Sequence, residues 1–151
     1  MIQRSIILVF LMLAGCQQNT SSERWYTQEQ IDHGRGLFVK HCSACHGDQA
    51  QGLVEDWQST DADGFYPPPP LNGSAHAWHH PLPVLTKIIR EGGKSYDGRM
   101  PGFSEVLSES DQYAIIAWVQ SQWSDEIYQL WQGERNRSGG LMMSQPDSGG
   151  E

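Results

Sequence analysis

The sequence predicts an all-α fold built around one core. Apolar residues recur at helical spacing in several segments, whereas no stretch of useful length alternates as a β-strand does, and no internal repeat is present. At 151 residues the chain is long enough for one domain and too short for two of ordinary size. Its 16 glycines and 8 prolines indicate helices joined by long loops that enclose a further component, rather than a plain helical bundle.

The first helix is predicted to begin after Thr27 and to run to about Lys40. Thr27 and Gln30 fit a Thr-x-x-Gln capping box, in which each side chain accepts a hydrogen bond from the backbone N–H of the other residue. The residues that follow recur at helical spacing and would form one face of the helix, namely Ile31, Gly34, Phe38 and Cys42.

A long irregular segment follows the first helix. Residues 47–66 contain scattered Gly, Asp and Ser with isolated apolar residues, which indicates a surface loop. Four consecutive prolines at 67–70 exclude a helix interior and fix an extended backbone. The Asn72-Gly73 pair predicts a turn that closes this segment.

Three more helices are predicted in the second half of the chain. Residues 83–91 have a proline at their start and two glycines after their end, the usual asymmetry of a short helix. Ser108 is a candidate N-cap with acidic residues in the turn that follows, and it opens a helix that carries Ile115, Trp118, Val119 and Gln122 on one stripe. Ser124 is a candidate cap for a last short helix that ends near Trp131.

The N-terminal residues predict export and a lipid anchor. A positive charge at Arg4 precedes an apolar run at 6–13, which is shorter than the ~20 residues of a membrane-spanning helix. The run ends in LAGC at residues 13–16, which resembles a bacterial lipoprotein box, whose cysteine is diacylated and becomes the first residue of the mature chain. An ordinary signal peptide with an unrelated cysteine and an uncleaved short anchor are the alternatives. Two acyl chains at Cys16 would hold the protein stably at a membrane surface.

These observations divide the chain into four segments. Residues 1–15 are the expected lipoprotein signal peptide, 16–26 a linker from lipidated Cys16, 27–132 the folded domain and 133–151 a polar, glycine-rich tail expected to be disordered. The expected location is the periplasmic side of a bacterial inner or outer membrane. A net charge of -8 argues against unaided nucleic-acid binding, which requires a basic face.

With Cys16 assigned to lipid, two cysteines remain in the sequence CSACH at residues 42–46. Cys42 and Cys45 could form a disulfide, a redox pair, half of a zinc site or the two thioether anchors of a haem. No second cysteine pair supports zinc, and no βαβ pattern supports a thioredoxin-like motif. His46 completes C-x-x-C-H, the attachment signature of c-type haem, in which the thiols reach the two vinyl groups and the histidine coordinates iron.

A second axial ligand is expected from far along the chain. Met100, in the sequence GRMP, is the natural candidate because a soft thioether favours ferrous iron. Met142 and Met143 are rivals by residue type, although they lie in the predicted tail. The cluster of His76, His79 and His80 could bind copper or replace Met100, but we expect these side chains to line a haem pocket, contact propionates or be exposed.

Three further features accompany the C-x-x-C-H motif. Gly34 is followed four residues later by an aromatic residue, Phe38, and Trp118 stands on the last strongly patterned helix one turn after Ile115. Residues 69–71 read Pro-Pro-Leu. Taken together, over nearly all of residues 27–123, these features resemble the class I c-type cytochromes.

The resemblance implies a small class I cytochrome c fold, with helices and loops wrapped around one covalently bound haem c. Cys42 and Cys45 would attach the haem, and His46 and Met100 would be the axial ligands of its iron. In that family the first and last helices cross closely, with the glycine at the position of Gly34 permitting the approach and Phe38 packing near Trp118. A proline carbonyl in a Pro-x-Leu segment accepts a hydrogen bond from Nδ1 of the axial histidine.

The function expected from this resemblance is one-electron transfer rather than enzyme catalysis. A membrane-anchored monohaem cytochrome would pass electrons between periplasmic or membrane redox protein partners and would bind no small-molecule substrate. One alternative is a haem-based sensor or carrier of gas ligands, in which Met100 dissociates from the iron. The other is a copper-handling lipoprotein that uses the histidine cluster and the tail methionines.

Overall fold

The structure, a computed structural model, describes residues 24–137. In this range the chain forms five α-helices and two short 3-10 turns. The helices are α1 (Gln28–His41), α2 (Ser43–His46), α3 (Leu82–Glu91), α4 (Glu109–Ser121) and α5 (Asp125–Arg137), and the turns are Ala77–His79 and Lys94–Tyr96. None of the helices described is long and apolar enough to cross a membrane. The predicted all-α fold is confirmed. Within residues 24–137 the only β-type pairing is one isolated bridge, between Tyr66 and Gly98.

Helix α1 begins at the predicted capping box. The backbone N–H of Gln30 donates to Thr27 Oγ1 at 3.3 Å, and the N–H of Thr27 donates to Gln30 Oε1 at 2.9 Å. The helix continues to His41, one residue beyond the predicted end. Cys42 then leaves helical geometry, and α2 starts directly after it. The sequence pattern did not predict this short second helix.

Helices α1 and α4 cross in backbone contact, as the resemblance implied. A Cβ atom built on Gly34 would lie 1.8 Å from the carbonyl oxygen of Ala114, so that only glycine permits this approach. One turn later the rings of Phe38 and Trp118 pack with their centroids 4.3 Å apart. Both aromatic side chains are buried, and they form the centre of the core that α1 and α4 share.

Helix α4 begins directly after Ser108, which is its N-cap as predicted. The backbone N–H of Asp111 donates to Ser108 Oγ at 3.2 Å, and Asp111 Oδ2 accepts from the N–H of Ser108 at 3.1 Å. His33 of α1 lies 2.8 Å from the other carboxylate oxygen of Asp111. Hydrogen bonds from the side chains of Ser108 and His33, in that order, lower the pKa of Asp111. This carboxylate therefore caps α4 and connects it to α1.

The domain begins earlier than predicted. The guanidinium of Arg24 donates to the carbonyl of Gln120 at 2.9 Å, at the end of α4, and pairs with Asp125 of α5 at 2.7 Å. Tyr26 is buried in the core. The last three residues of the predicted linker, 16–26, therefore belong to the domain, because they close the unpaired end of α4 and cover the core with aromatic rings.

The last helix is longer than predicted. Ser124 Oγ accepts from the N–H of Ile127 at 3.3 Å, which confirms the predicted cap. Helix α5 then continues to Arg137 instead of ending at 132, because the polar residues after Gly133 include good helix formers and because buried Tyr128 and Trp131 fix the preceding turns. Its last residues fall in the predicted tail, 133–151; the rest of that tail and residues 1–23 lie outside the described residues.

Candidate functional site

The C-x-x-C-H motif forms a helical turn of its own. The carbonyl of Cys42 accepts hydrogen bonds from the N–H of Cys45 at 3.1 Å and from the N–H of His46 at 2.9 Å. Residues three apart on such a turn are neighbours, which places the two cysteines side by side. Cys42 is half-buried and Cys45 is exposed, and both are free thiols. The structure therefore brings together three of the four predicted haem-binding residues.

The chemistry of Cys42 argues against a reactive thiol. Burial, and after it the neighbouring Cys45, raises the pKa of Cys42 to about 11. A redox nucleophile acts as a thiolate and needs a lowered pKa, so this thiol is not poised for redox chemistry. Within residues 24–137, moreover, no group of three or more His, Cys, Asp or Glu side chains is placed to hold a metal ion. The redox-pair and zinc interpretations thus have no support in this part of the chain.

His46 is buried and held in one orientation. Its Nδ1 lies 3.0 Å from the carbonyl oxygen of Pro69, the hydrogen bond that the resemblance implied. Because a carbonyl oxygen can only accept, the proton must be on Nδ1. Burial lowers the pKa of His46, which keeps the imidazole neutral and leaves Nε2 with a free lone pair. A neutral imidazole with its other nitrogen held by a carbonyl is the usual state of a metal-ligating histidine.

The carbonyl of Pro69 is itself fixed by the segment around it. The N–H of Leu71 donates to the carbonyl of Ala50 at 2.7 Å, in the turn that follows His46. The indole N–H of Trp123 donates to the carbonyl of Leu71 at 2.7 Å. The sequence pattern did not point to Trp123; the only signal for its role is that a buried indole N–H needs an acceptor.

Met100 lies in a separate loop, between α3 and α4, and is half-buried. The N–H of Gly93 donates to the carbonyl of Met100 at 3.0 Å. Gly92 has a φ of +84°, and a Cβ atom there would lie 2.6 Å from the same carbonyl oxygen. The glycines that end α3 therefore let this loop pack tightly against the helix terminus. No hydrogen bond among the described residues connects Met100 with the C-x-x-C-H turn, and the role of Met100 stays a prediction.

The histidine cluster is engaged in ring packing. His76 stacks on Trp57 with 5.1 Å between centroids, and His79 stacks on Trp78 at 3.7 Å. His80 meets His76 edge-on at 5.4 Å. Burial lowers the pKa of both His76 and His80, which favours their neutral form. These contacts fit an aromatic surface cluster, and the copper interpretation has no metal-binding group among residues 24–137.

Comparison with known proteins gives a family. The family model described as "Cytochrome C oxidase, cbb3-type, subunit III" matches residues 29–119. A cbb3-type cytochrome c oxidase subunit CcoP from Helicobacter pylori is 31% identical over 103 residues, which cover 64% of this chain and 29% of the relative. The CcoP subunit from Helicobacter pylori strain 52 is 31% identical over 101 residues, which cover 63% of this chain and 27% of the relative.

The match is confined to part of each relative. At 29% and 27% of their lengths, the chain spans less than a third of the curated relatives that it matches. No solved structure matches the chain significantly.

Proposed function

Because the chain belongs to the family of cytochrome c oxidase, cbb3-type, subunit III, and is a class I c-type cytochrome, we propose that it is a one-electron carrier with a single haem c. Cys42 and Cys45 attach this haem covalently in our proposal, and His46 and Met100 are its axial ligands. The observation that supports it most directly is the hydrogen bond from His46 Nδ1 to Pro69, which leaves Nε2 of a buried, neutral imidazole available for iron.

The residues present fit this cofactor. Two free thiols are neighbours on one helical turn, and the imidazole directly after them is held in the tautomer that can ligate a metal. When bound, haem supplies an iron that gains and loses one electron. The hydrogen bond to Pro69 keeps the imidazole in place and strengthens it as a donor, while the thioether of Met100 favours the reduced state.

An electron carrier fits the site better than a gas sensor does. A sensor needs a labile sixth ligand, so that its gas can bind to the iron. The loop that carries Met100 is instead held against α3 by backbone hydrogen bonds from Phe103 to Ile89 at 3.0 Å and from Ser104 to Arg90 at 3.3 Å. The N–H of Gly93, directly after the helix, also donates to the carbonyl of Met100 at 3.0 Å. A fixed loop disfavours ligand release, and a filled coordination sphere leaves no position for a substrate.

The partners we propose are redox proteins. The curated relatives are named subunits of a cbb3-type cytochrome c oxidase, so an oxidase of this kind is a candidate acceptor for this chain. We do not propose that the chain itself catalyses oxygen reduction, because the similarity covers less than a third of each relative.

Covalent attachment provides the direct test of this function. We expect the haem of the purified protein to resist extraction by acidified organic solvent and to stain with the polypeptide on a denaturing gel, because thioether bonds survive denaturation. The variant with both Cys42→Ala and Cys45→Ala is the control, and it should lose the stain. Haem that leaves the unaltered protein freely would contradict the proposal.

We also propose that the domain is tethered to a membrane through Cys16. The LAGC sequence at residues 13–16 supports lipidation, and residues 17–23 would then connect the lipid to the domain that begins at Arg24. Export through residues 1–15 places the haem on the periplasmic side of the inner or outer membrane, where its partners would also be exposed.

Replacement of the lipid-modified cysteine should release the protein. We expect Cys16→Ser, expressed behind a cleavable signal peptide that lacks a lipoprotein box, to appear in the soluble periplasmic fraction with its haem spectrum unchanged. The physical reason is that acyl chains supply the membrane affinity, whereas the haem site lies within residues 24–137. The control is the same domain behind its own residues 1–16. Membrane retention of the variant would indicate that a protein partner, rather than lipid, holds the domain.

A further inference from the structure

Arg99, the residue before Met100, is held by a loop from a distant part of the chain. Its guanidinium pairs with the carboxylates of Asp61 and Asp63, the latter at 2.7 Å. Its Cζ atom also lies 4.3 Å from the centroid of the Phe65 ring. We name residues 61–66 the acidic loop and residues 94–101 the Met100 loop.

Hydrogen bonds within the acidic loop orient Asp61 towards Arg99. One carboxylate oxygen of Asp61 accepts from the N–H groups of Asp63 and Phe65, both at 3.0 Å. The N–H of Asp61 donates to the carbonyl of Phe65 at 2.9 Å and closes the loop. The second oxygen of Asp61 is thereby turned towards Arg99.

The backbones of the two loops are also joined. The N–H of Tyr66 donates to the carbonyl of Asp97 at 3.0 Å, and Tyr66 and Gly98 form the isolated parallel bridge. The Met100 loop is therefore bound on one side to the end of α3, through Gly93, and on the other side to the acidic loop. Arg99 makes the side-chain part of the second attachment, one residue away from the predicted iron ligand.

We propose that Arg99 is a positioning residue, whose contacts with Asp61, Asp63 and Phe65 keep the Met100 loop closed and the thioether of Met100 on the haem iron. This inference rests on the proposed function, in which Met100 is the sixth ligand. A single exposed ion pair contributes little, but a guanidinium shared by two carboxylates and a ring forms a network. Loss of such a network matters most for local opening of a loop, which costs far less free energy than global unfolding.

Competition by an added ligand measures this opening. Imidazole can bind ferric iron only when Met100 has left it, so its apparent affinity increases with the population of the open loop. We expect Arg99→Gln to raise the apparent affinity of the ferric holoprotein for imidazole by about fivefold, as an exposed network of this kind implies. The loss of the thioether charge-transfer band during the titration is the measurement.

A second variant tests the same contact from the other loop. The double change Asp61→Asn and Asp63→Asn removes both carboxylate charges, while the amide oxygen of residue 61 can still accept the two backbone hydrogen bonds. We expect it to raise the imidazole affinity by the same factor as Arg99→Gln. Arg99→Lys keeps the charge but loses the planar fork, so its affinity should lie between those of the wild type and Arg99→Gln.

Asp111→Asn is the matched control, since the same chemical change there removes a capping carboxylate of α4 that contacts His33 and Ser108. It should lower the free energy of unfolding without raising the affinity for imidazole. The inference is wrong if Arg99→Gln and the double variant bind imidazole like the wild type, or if Asp111→Asn raises the affinity equally. A wild-type protein that lacks the thioether band would instead overturn ligation by Met100, and with it the role of Arg99.

Discussion

Met100→His should abolish the thioether charge-transfer band of the ferric protein and lower the reduction potential by on the order of 0.2 V, within the range that axial ligands span. Imidazole stabilises ferric iron better than a thioether does, so the exchange favours the oxidised state. The backbone hydrogen bond from Gly93 to residue 100 does not involve the side chain, and the loop should keep its attachment to α3. Spectroelectrochemistry of the purified holoprotein measures both quantities.

The tail methionines provide the control for this result. Met142→Leu combined with Met143→Leu should change neither the band nor the potential, since we assign the sixth ligand to Met100. If Met100→His leaves the band and the potential as they were, the sixth ligand lies elsewhere. A band that persists requires another thioether, so Met142 and Met143 would then be the first residues to test. A wild-type protein without the band would direct the search to His76, His79 and His80 instead.

Local patterns were sufficient to predict the frame of the fold. The capping box at Thr27 and the N-cap at Ser108 are short-range signatures in which the same few residues both mark and stabilise a helix start, and both were confirmed. Two other contacts join residues that are far apart in sequence. One is the packing of Phe38 on Trp118, and the other is the hydrogen bond from His46 to Pro69. Those two contacts were predicted only through the family resemblance, since periodicity alone does not pair helices or loops.

Contacts between irregular segments were beyond sequence reasoning. Arg99 and Asp61 are 38 residues apart and neither belongs to a periodic pattern, so nothing in the sequence distinguishes their pairing from that of other exposed charges. Arg24 likewise looked like part of a linker, yet it closes the end of α4 from 96 residues away. Such contacts depend on the tertiary arrangement that brings the loops together, and they decide where the domain begins and how the Met100 loop is held.

The crossing of α1 and α4 predicts a large effect of a small substitution. Gly34→Ala should lower the free energy of unfolding by about 3 kcal/mol or more, the upper range for overpacking a core. The added Cβ would lie 1.8 Å from the Ala114 carbonyl oxygen and 2.4 Å from its carbonyl carbon, atoms of a helical backbone that cannot rotate away. The helices must separate, which loosens the packing of Phe38 on Trp118. Urea unfolding of the holoprotein measures the change.

The same helix supplies a control of opposite sign. Gly36 is exposed on α1, and a Cβ atom there would meet nothing within 4 Å. Gly36→Ala should therefore raise the free energy of unfolding by roughly 0.5–1 kcal/mol, the intrinsic preference of a helix for alanine. Both substitutions include this gain from alanine in a helix. The difference between their changes in the free energy of unfolding therefore measures the clash with α4. Equal stabilities of the two variants would contradict backbone contact between α1 and α4 at Gly34.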